Sequence, residues 1–487
     1  MAESRADKNQ FYTEFIIPEY VQIVARILLK EGYSCYLVGG ALRDVVLSIE
    51  PDDYDLATDA LPEEMLGIFP KAVSTGIRFG TVTVIVKDSA EVRHEVQVTT
   101  LRSEQQYVDG RWPAHVRFVK DLDEDLRRRD FTFNAMALDF SSNELDGKEE
   151  KRKWAIYDLF GGRDDLDRKT VRAVGNPAER FKEDGLRVFK ACRMASQLGF
   201  SIDPRTFDAI TQTLSVAQKI SMERIRDEFM KMLKNSNKPS VGVELMRTSG
   251  LLEIFMPELL LSVGVEQPVY HSDDVYTHLL RTMDCAPVDS RLAGLLHDIG
   301  KPQKAMGDGH FYGHDVEGEK LTRDIMKRMK FSKSEIDRVA HLVKYHMFYY
   351  PVLPEDATET DVEEYEAKKW TDAAVRRFIV RVGEDNIDDL FALRIADASA
   401  NPTSIFQPDE IELLQKRISE VREKDMALKV TDLDISGEDL QKIGIKPGPR
   451  MGAILSKLLE EVIEEPSLND KKVLEEMALN IDRDQQQ

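Results

Sequence analysis

The chain has 487 residues, 42% hydrophobic and 32% charged, which suits several globular domains rather than one core. Its net charge of −21 excludes a protein that coats nucleic acid indiscriminately. No apolar run of about 18 residues occurs, so no membrane helix is expected, and the polar N-terminus (MAESRADKNQ) lacks the apolar core of a secretory leader. The charge is uneven: residues 151–240 carry 19 Lys and Arg against 12 Asp and Glu, an excess of +7. A basic middle in an acidic chain suits a single RNA-facing surface, though an ordinary helix surface could show the same excess. Cys35, Cys192 and Cys285 are far apart, with no C-x-x-C pair, and read as reduced thiols of a cytoplasmic protein.

Residues 18–31 read as an amphipathic helix, with Pro18 in the first turn and Val21, Val24 and Leu28 at helical spacing. Tyr36-Leu37-Val38 reads as a buried strand that breaks at Gly39-Gly40 into a short helix with Arg43 and Asp44. Two glycines at such a turn let the backbone approach a phosphate, and the helix N-terminus offers free N–H donors. A second strand is expected to carry Asp53 and Asp55 on one face, two hard carboxylates suited to Mg²⁺. A D-x-D alone is usually a solvated strand or turn; the glycine turn beside it changes that weighting. A short helix is expected over 61–69 and strands over 81–86 and 91–99. Glu95, on the last of these, is the candidate third acid, with an exposed strand glutamate as the alternative. Residues 101–120 are polar and unperiodic and read as a functional or disordered loop, and 141–155 as a polar surface excursion.

These stretches resemble, in order, the motifs of the class II (bacterial-type) tRNA nucleotidyltransferase and poly(A) polymerase family, within it the CCA-adding enzymes. Leu37 to Asp44 with Asp53 to Thr58 is similar to LVGGxxRD…DxDxAT. Tyr107 to Pro113 is similar to the YxDGRRP of a flexible loop, with Trp112 in place of the second Arg. Arg128-Arg129-Asp130-Phe131-Thr132-Phe133-Asn134-Ala135 is similar to RRDFTxNA, Asp158 to Leu166 to a hinge-like DxxGGxxDL, and Glu183-Asp184-Gly185-Leu186-Arg187 to EDxxR. Ser221 to Glu228 resembles the next family motif. The resemblance implies that Asp53, Asp55 and Glu95 serve catalysis, with Mg²⁺ on Asp53 and Asp55. Gly39, Gly40 and Arg43 would cradle the triphosphate. Arg129 would meet the nucleotide, while Asp130 and Asn134 shape the sugar pocket. Asp184 and Arg187, on one helix stripe with Lys190 and Arg193, would read the base. A carboxylate only accepts hydrogen bonds and a guanidinium only donates them, so the pair can match cytosine and adenine edges; the plain alternative is an exposed ion-pair stripe.

Seven of the nine histidines lie between His271 and His346. His278, His297-Asp298 and Asp397 resemble the H…HD…D signature of HD phosphohydrolases, with His314 and His346 as further candidates. Mixed imidazole and carboxylate ligands suit Mn, Ni, Co or Fe. The alternative is a degenerate HD domain kept for packing or RNA contact. Residues 351–375 look solvated, and 439–450 read as helix, turn and helix.

The implied fold is α+β. A nucleotidyltransferase head with a small mixed sheet spans 1–145, a helical neck and body 146–265, an HD domain 266–400 and a helical tail 401–487. The implied reaction adds CCA to the tRNA 3′ end from CTP and ATP. Addition of A alone, poly(A) synthesis, and an HD phosphohydrolase with an RNA-binding head are the alternatives. The expected partners are tRNA, CTP and ATP, with no membrane and no obligate protein partner.

Overall fold

The computed structural model describes residues 9–76, 79–108, 112–141, 145, 147–267, 273–305, 310–353, 357–401, 409–424 and 429–484. It divides into two compact units, Met1–Leu260 with Arg328–Lys330, and Leu261–Lys327 with Phe331–Gln487.

The first unit opens with β1 (Gln10–Phe15) and α1 (Glu19–Lys30), whose Val21, Val24, Ala25 and Leu28 are buried as the periodicity requires. Glu19 in its first turn and Lys30 in its last complement the helix dipole. Then come β2 (Tyr36–Val38), α2 (Gly40–Val46), β3 (Asp55–Thr58), α3 (Pro62–Ile68), β4 (Ala72–Gly76), β5 (Thr81–Lys87) and β6 (Arg93–Thr100). β7 (Arg102–Val108) and β8 (Trp112–Phe118) follow, then α4 (Leu122–Arg127), β9 (Met136–Asp139) and β10 (Arg152–Asp158). Eight strands form one mixed sheet in the order β1-β10-β9-β2-β3-β6-β5-β4, with β3 and β6 parallel. Across it runs a buried apolar row, Ile156, Leu138, Leu37, Leu56, Val98 and Val82, each opposite the next. That row pins the register, because a slip of one residue would turn each strand's apolar set to the other face.

Three expectations are corrected. Asp53 is not on a strand: β3 begins at Asp55, and Asp53 lies in the connection before it. The stretch 101–120 contains an antiparallel hairpin, β7 with β8, running from Arg102↔Phe118 to Val108↔Trp112. Its tip, residues 109–111 with the Asp-Gly-Arg of the loop motif, lies outside the described residues. The polar excursion ends earlier than expected, because Arg152–Asp158 is a strand between β1 and β9, past the expected head boundary at 145. Arg152 and Lys153 mask its alternation, yet Trp154 and Ile156 are buried, and the Trp154 indole donates to the Phe15 carbonyl at 3.1 Å.

α5 (Gly162–Asp167), α6 (Pro177–Glu183) and α7 (Leu186–Leu198) continue the unit. A Cβ on Gly162 would lie 2.5 Å from the Thr132 carbonyl oxygen, so only glycine lets this turn close on the segment behind it. The helix expected through Asp184 is broken there: Asp184 is extended (φ −140°, ψ 107°) between α6 and α7.

The second unit is helical throughout its described residues. Helices Val275–Cys285, Arg291–Leu296, Lys333–Tyr345 and Ile387–Ala400 surround His297 and Asp298. Leu440, Ile454, Leu458 and Leu474 centre a separate tail core. The expected helix, turn and helix appear as Gly437–Lys442 and Pro449–Glu464. No helix among the described residues is long and apolar enough to cross a membrane.

Replacing Trp154 by Ala removes a fully buried indole and its hydrogen bond, and should cost about 3–5 kcal/mol. Chemical denaturation checks this; a loss under about 1 kcal/mol would take β10 out of the head core.

Candidate active site and metal centre

Gly39 has φ +82° and ψ −141°, a conformation open essentially to glycine alone. A Cβ there would point between two groups, 3.5 Å from Arg129 Nη1 and 3.7 Å from Asp55 Oδ2. The turn therefore leaves an opening with a guanidinium on one side and a carboxylate on the other. Burial, then the charge of Asp53, push the Asp55 carboxyl up to about 6, against the pull of Arg129. A half-buried carboxylate beside a second one calls for more positive charge than Arg129 supplies, which is what a divalent cation provides. In the register of β3 with β6, Leu56 stands opposite Val98, so Glu95 shares the face of Asp55. The Glu95 side chain is exposed and lies 3.3 Å from Arg93.

Arg43 is held by its neighbour, with Nε and Nη2 donating to the two Asp44 oxygens at 2.7 and 2.8 Å. Its Nη1 donates to Asn134 Oδ1 at 3.3 Å, and Asn134 Nδ2 donates to Asp130 Oδ1 at 3.1 Å. Lys190 Nζ lies 3.7 Å from Asp130 Oδ2. One polar chain thus ties α2, the segment before β9 and α7 together. Burial alone would raise the Asp130 carboxyl, but Lys190, the Asn134 amide and Arg187 bring it down to about 2.

The base-reading candidates are not the exposed stripe their spacing suggests. Arg187 is buried; its Nη1 donates to Glu183 Oε2 at 2.6 Å and to the Arg180 carbonyl at 3.0 Å, and its Nη2 to the Arg128 carbonyl at 2.9 Å. Asp184 accepts from the Leu186 N–H at 3.0 Å and from Arg224 Nη2 at 3.1 Å. Gly185 fits where a Cβ would sit 2.9 Å from the Val216 carbonyl oxygen. Arg193 is turned elsewhere, donating to Glu228 at 2.7 Å and so tying α7 to helix Met222–Asn235.

In the second unit the structure brings the distant histidines together. His278 Nε2 lies 3.3 Å from His297 Nε2 and 3.0 Å from Asp397 Oδ1. His297 Nε2 lies 3.2 Å from Asp298 Oδ2. On the other side of the same carboxylate, Oδ1 lies 3.2 Å from His314 Nε2 and 3.4 Å from His346 Nε2. Nδ1 of His297, His314 and His346 each faces the backbone carbonyl three residues earlier, at 2.9, 2.8 and 2.6 Å. A carbonyl can only accept, so Nδ1 carries the proton and Nε2 turns its lone pair inward. Asp298 Oδ1, His314 Nε2 and His346 Nε2 are buried and find no hydrogen-bond partner among the described residues. Convergent unpartnered acceptors are what a metal ion satisfies. Burial alone would lower the His297 pKa, but the Asp298 and Asp397 carboxylates beside it push it up. Gly300 permits the arrangement: a Cβ there would lie 2.2 Å from the His314 carbonyl oxygen.

Sequence reasoning passed over several residues that hold these groups. Asp125 pairs with Arg128 and Arg129, Arg224 with Asp184, and Lys301 Nζ with Asp298 at 2.5 Å. Spacings of three and four signal the first and last; the Arg224 contact joins separate segments and left no such signal.

The fold and the turn define a nucleotidyltransferase head. The family model of the poly A polymerase head domain matches residues 35–172, the probable RNA- and SrmB-binding site of polymerase A residues 199–261, and tRNA nucleotidyltransferase domain 2 residues 315–478. A CCA-adding enzyme of Leuconostoc mesenteroides is 30% identical over 460 residues, 93% of this chain and 94% of that protein. One from Enterococcus faecalis is 46% identical over 215 residues, 44% of this chain and 49% of that protein; the chain spans about half the length of the curated relatives it matches at this level. The solved CCA-adding enzyme of Bacillus stearothermophilus in complex with CTP is similar with TM-score 0.67 and 26% identity, covering 97% of this chain and 99% of that one. The chain belongs to the CCA-adding enzyme family.

Replacing Gly39 by Ala should strain the turn by about 1–3 kcal/mol and fill the opening between Arg129 and Asp55. Nucleotide addition should fall far more than stability; equal activity per folded molecule would show that the opening is not used.

Proposed function

We propose that this chain adds CMP, CMP and AMP in turn to the tRNA 3′ end from CTP and ATP, releasing diphosphate. The observation that carries the reading is the opening at Gly39, flanked by Asp55 and Arg129, in a chain of this family. Asp53 and Asp55 would hold Mg²⁺, which when bound supplies positive charge to the reacting phosphate and its attacking hydroxyl. Gly39 and Gly40 let the triphosphate approach the backbone, and Arg129 meets it with a planar fork of donors. Arg43 supports the cradle through Asn134, and Asp130 and Asn134 bound the sugar pocket. Glu95 stands on the Asp55 face to assist. Asp184 and Arg187 read the base, and their being held by Arg224, Glu183 and two backbone carbonyls suits a rigid template. Lys190 sets the Asp130 charge. The hairpin reshapes the pocket between C and A. A cytoplasmic location accords with this role.

A second reading adds to the first without replacing it. His278, His297, Asp298 and Asp397, with His314 and His346, would bind Mn, Ni, Co or Fe and hydrolyse phosphate esters. The three unpartnered acceptors around Asp298 support it.

The test offers tRNA ending at the discriminator base, at C or at CC to CTP and ATP, singly and together. Addition of CCA followed by a stop is expected; growth on CC ends alone would mean an A-adding enzyme, and an open-ended ladder a poly(A) polymerase. Asp55→Ala should abolish extension and spare any metal-dependent phosphate release, and His297→Ala should do the converse.

The raised Asp55 pKa gives a pH signature. Below about 6 a proton competes with the metal, so apparent Mg²⁺ affinity should fall by about tenfold per pH unit as pH drops. In metal-free protein the stability effect has the opposite sign: the contribution of this group is full below its ordinary value of 3.8 and is lost as pH rises through about 6. Calorimetric Mg²⁺ titrations between pH 5 and 8 check the first statement; a flat profile would contradict it.

A further inference from the structure

Asp125 on α4 has no part in the reaction described above, yet it is 1% exposed and its two oxygens face different parts of the head. Oδ1 accepts from Arg128 Nε at 2.9 Å, from Arg128 Nη2 at 2.7 Å and from the Arg102 backbone N–H at 3.2 Å. Oδ2 accepts from Arg129 Nε at 3.3 Å and Nη2 at 3.1 Å. Arg102 is the first residue of β7, the root of the hairpin. Its carbonyl accepts from Arg128 Nε at 3.0 Å, so both sides of this residue are clamped by the Asp125–Arg128 pair. The Arg128 carbonyl in turn accepts from Arg187 Nη2 at 2.9 Å.

We propose that Asp125 is a positioning residue that couples the hairpin root to the triphosphate arginine, Arg129, and the base-reading arginine, Arg187, and through them sets the choice between C and A. A carboxylate is a rigid plane. A shift of the hairpin root that pulls on Oδ1 also turns Oδ2, and Arg129 with it; the same shift drags Arg128, whose carbonyl holds Arg187. Burial keeps these bonds out of competition with water and so makes the linkage stiff. Arg128 and Arg129 overcome the cost of that burial and hold the Asp125 carboxyl below its usual range, so the link stays charged at working pH. The inference rests on the proposed CCA addition.

The experiment compares Asp125→Asn with wild type in the full chain, measuring kcat/KM for CTP on tRNA ending in C and for ATP on tRNA ending in CC. The asparagine amide donates where the carboxylate accepted, so it cannot serve both arginines. The ratio of the two values cancels any inactive fraction, so a merely structural role leaves it unchanged. The ratio should change by about fivefold or more, a coupling of ordinary size. If Asp125→Asn is inactive, Arg128→Ala decides, because it cuts the clamp on the Arg102 carbonyl and leaves Asp125 paired with Arg129. A ratio within about twofold of wild type in the deciding variant overturns the coupling. Wild type adding neither nucleotide would instead overturn the function reading itself.

Discussion

A half-buried aspartate and an arginine face each other across a glycine that no other residue can replace without strain. The rest of the head holds that arrangement in register. The apolar row from Ile156 to Val82 fixes where β3 starts and so where Asp55 emerges. Gly39 turns the chain out of β2 at the neighbouring position, and Asp125 holds Arg129 on the far side. The carboxyl raised to about 6 records the cost of this placement. A charge is kept in partial burial beside a like charge, a state that only a cation relieves.

The second unit solves a similar problem with different chemistry. Three imidazoles spend their Nδ1 protons on carbonyls of their own segments, and their Nε2 atoms converge on the HD carboxylates. Asp298 divides its oxygens between two groups of histidines, and Lys301 neutralises it from the edge. Hard oxygen donors in the head suit Mg²⁺, whereas mixed nitrogen and oxygen donors here suit transition metals. The two clusters thus differ in the donor atoms they present.

Much of this was legible in the sequence wherever chemistry is local. The glycine turn, the RRDFTFNA string and the HD pair are contiguous, and each constrains the backbone around it. The gathering of His278, His297 and Asp397 followed from residue type and a family pattern, not from spacing. What escaped were features set by partners distant in the chain. β10 opens on Arg152 and Lys153, which hide its alternation, while its pairing with β1 and β9 satisfies the backbone whatever its exposed side chains are. β7 is mostly polar, and the alternation that β8 does carry, with Trp112, Ala114, Val116 and Phe118 at every second position, is short and interrupted by Pro113, so it did not stand out as a strand. The break at Asp184 and the burial of Arg187 depend on Arg128 and Val216, which spacing along one helix cannot reveal. The Arg193 pairing with Glu228 on another helix likewise has no signal in the spacing.

The most direct test of the central arrangement is a crystal structure of the full chain with Mn²⁺ and a non-hydrolysable CTP analogue. The account predicts an anomalous manganese peak coordinated by Asp55, with the triphosphate lying between the Gly39 turn and Arg129. Manganese found only among the histidines, or a triphosphate bound away from the glycine turn, would contradict it.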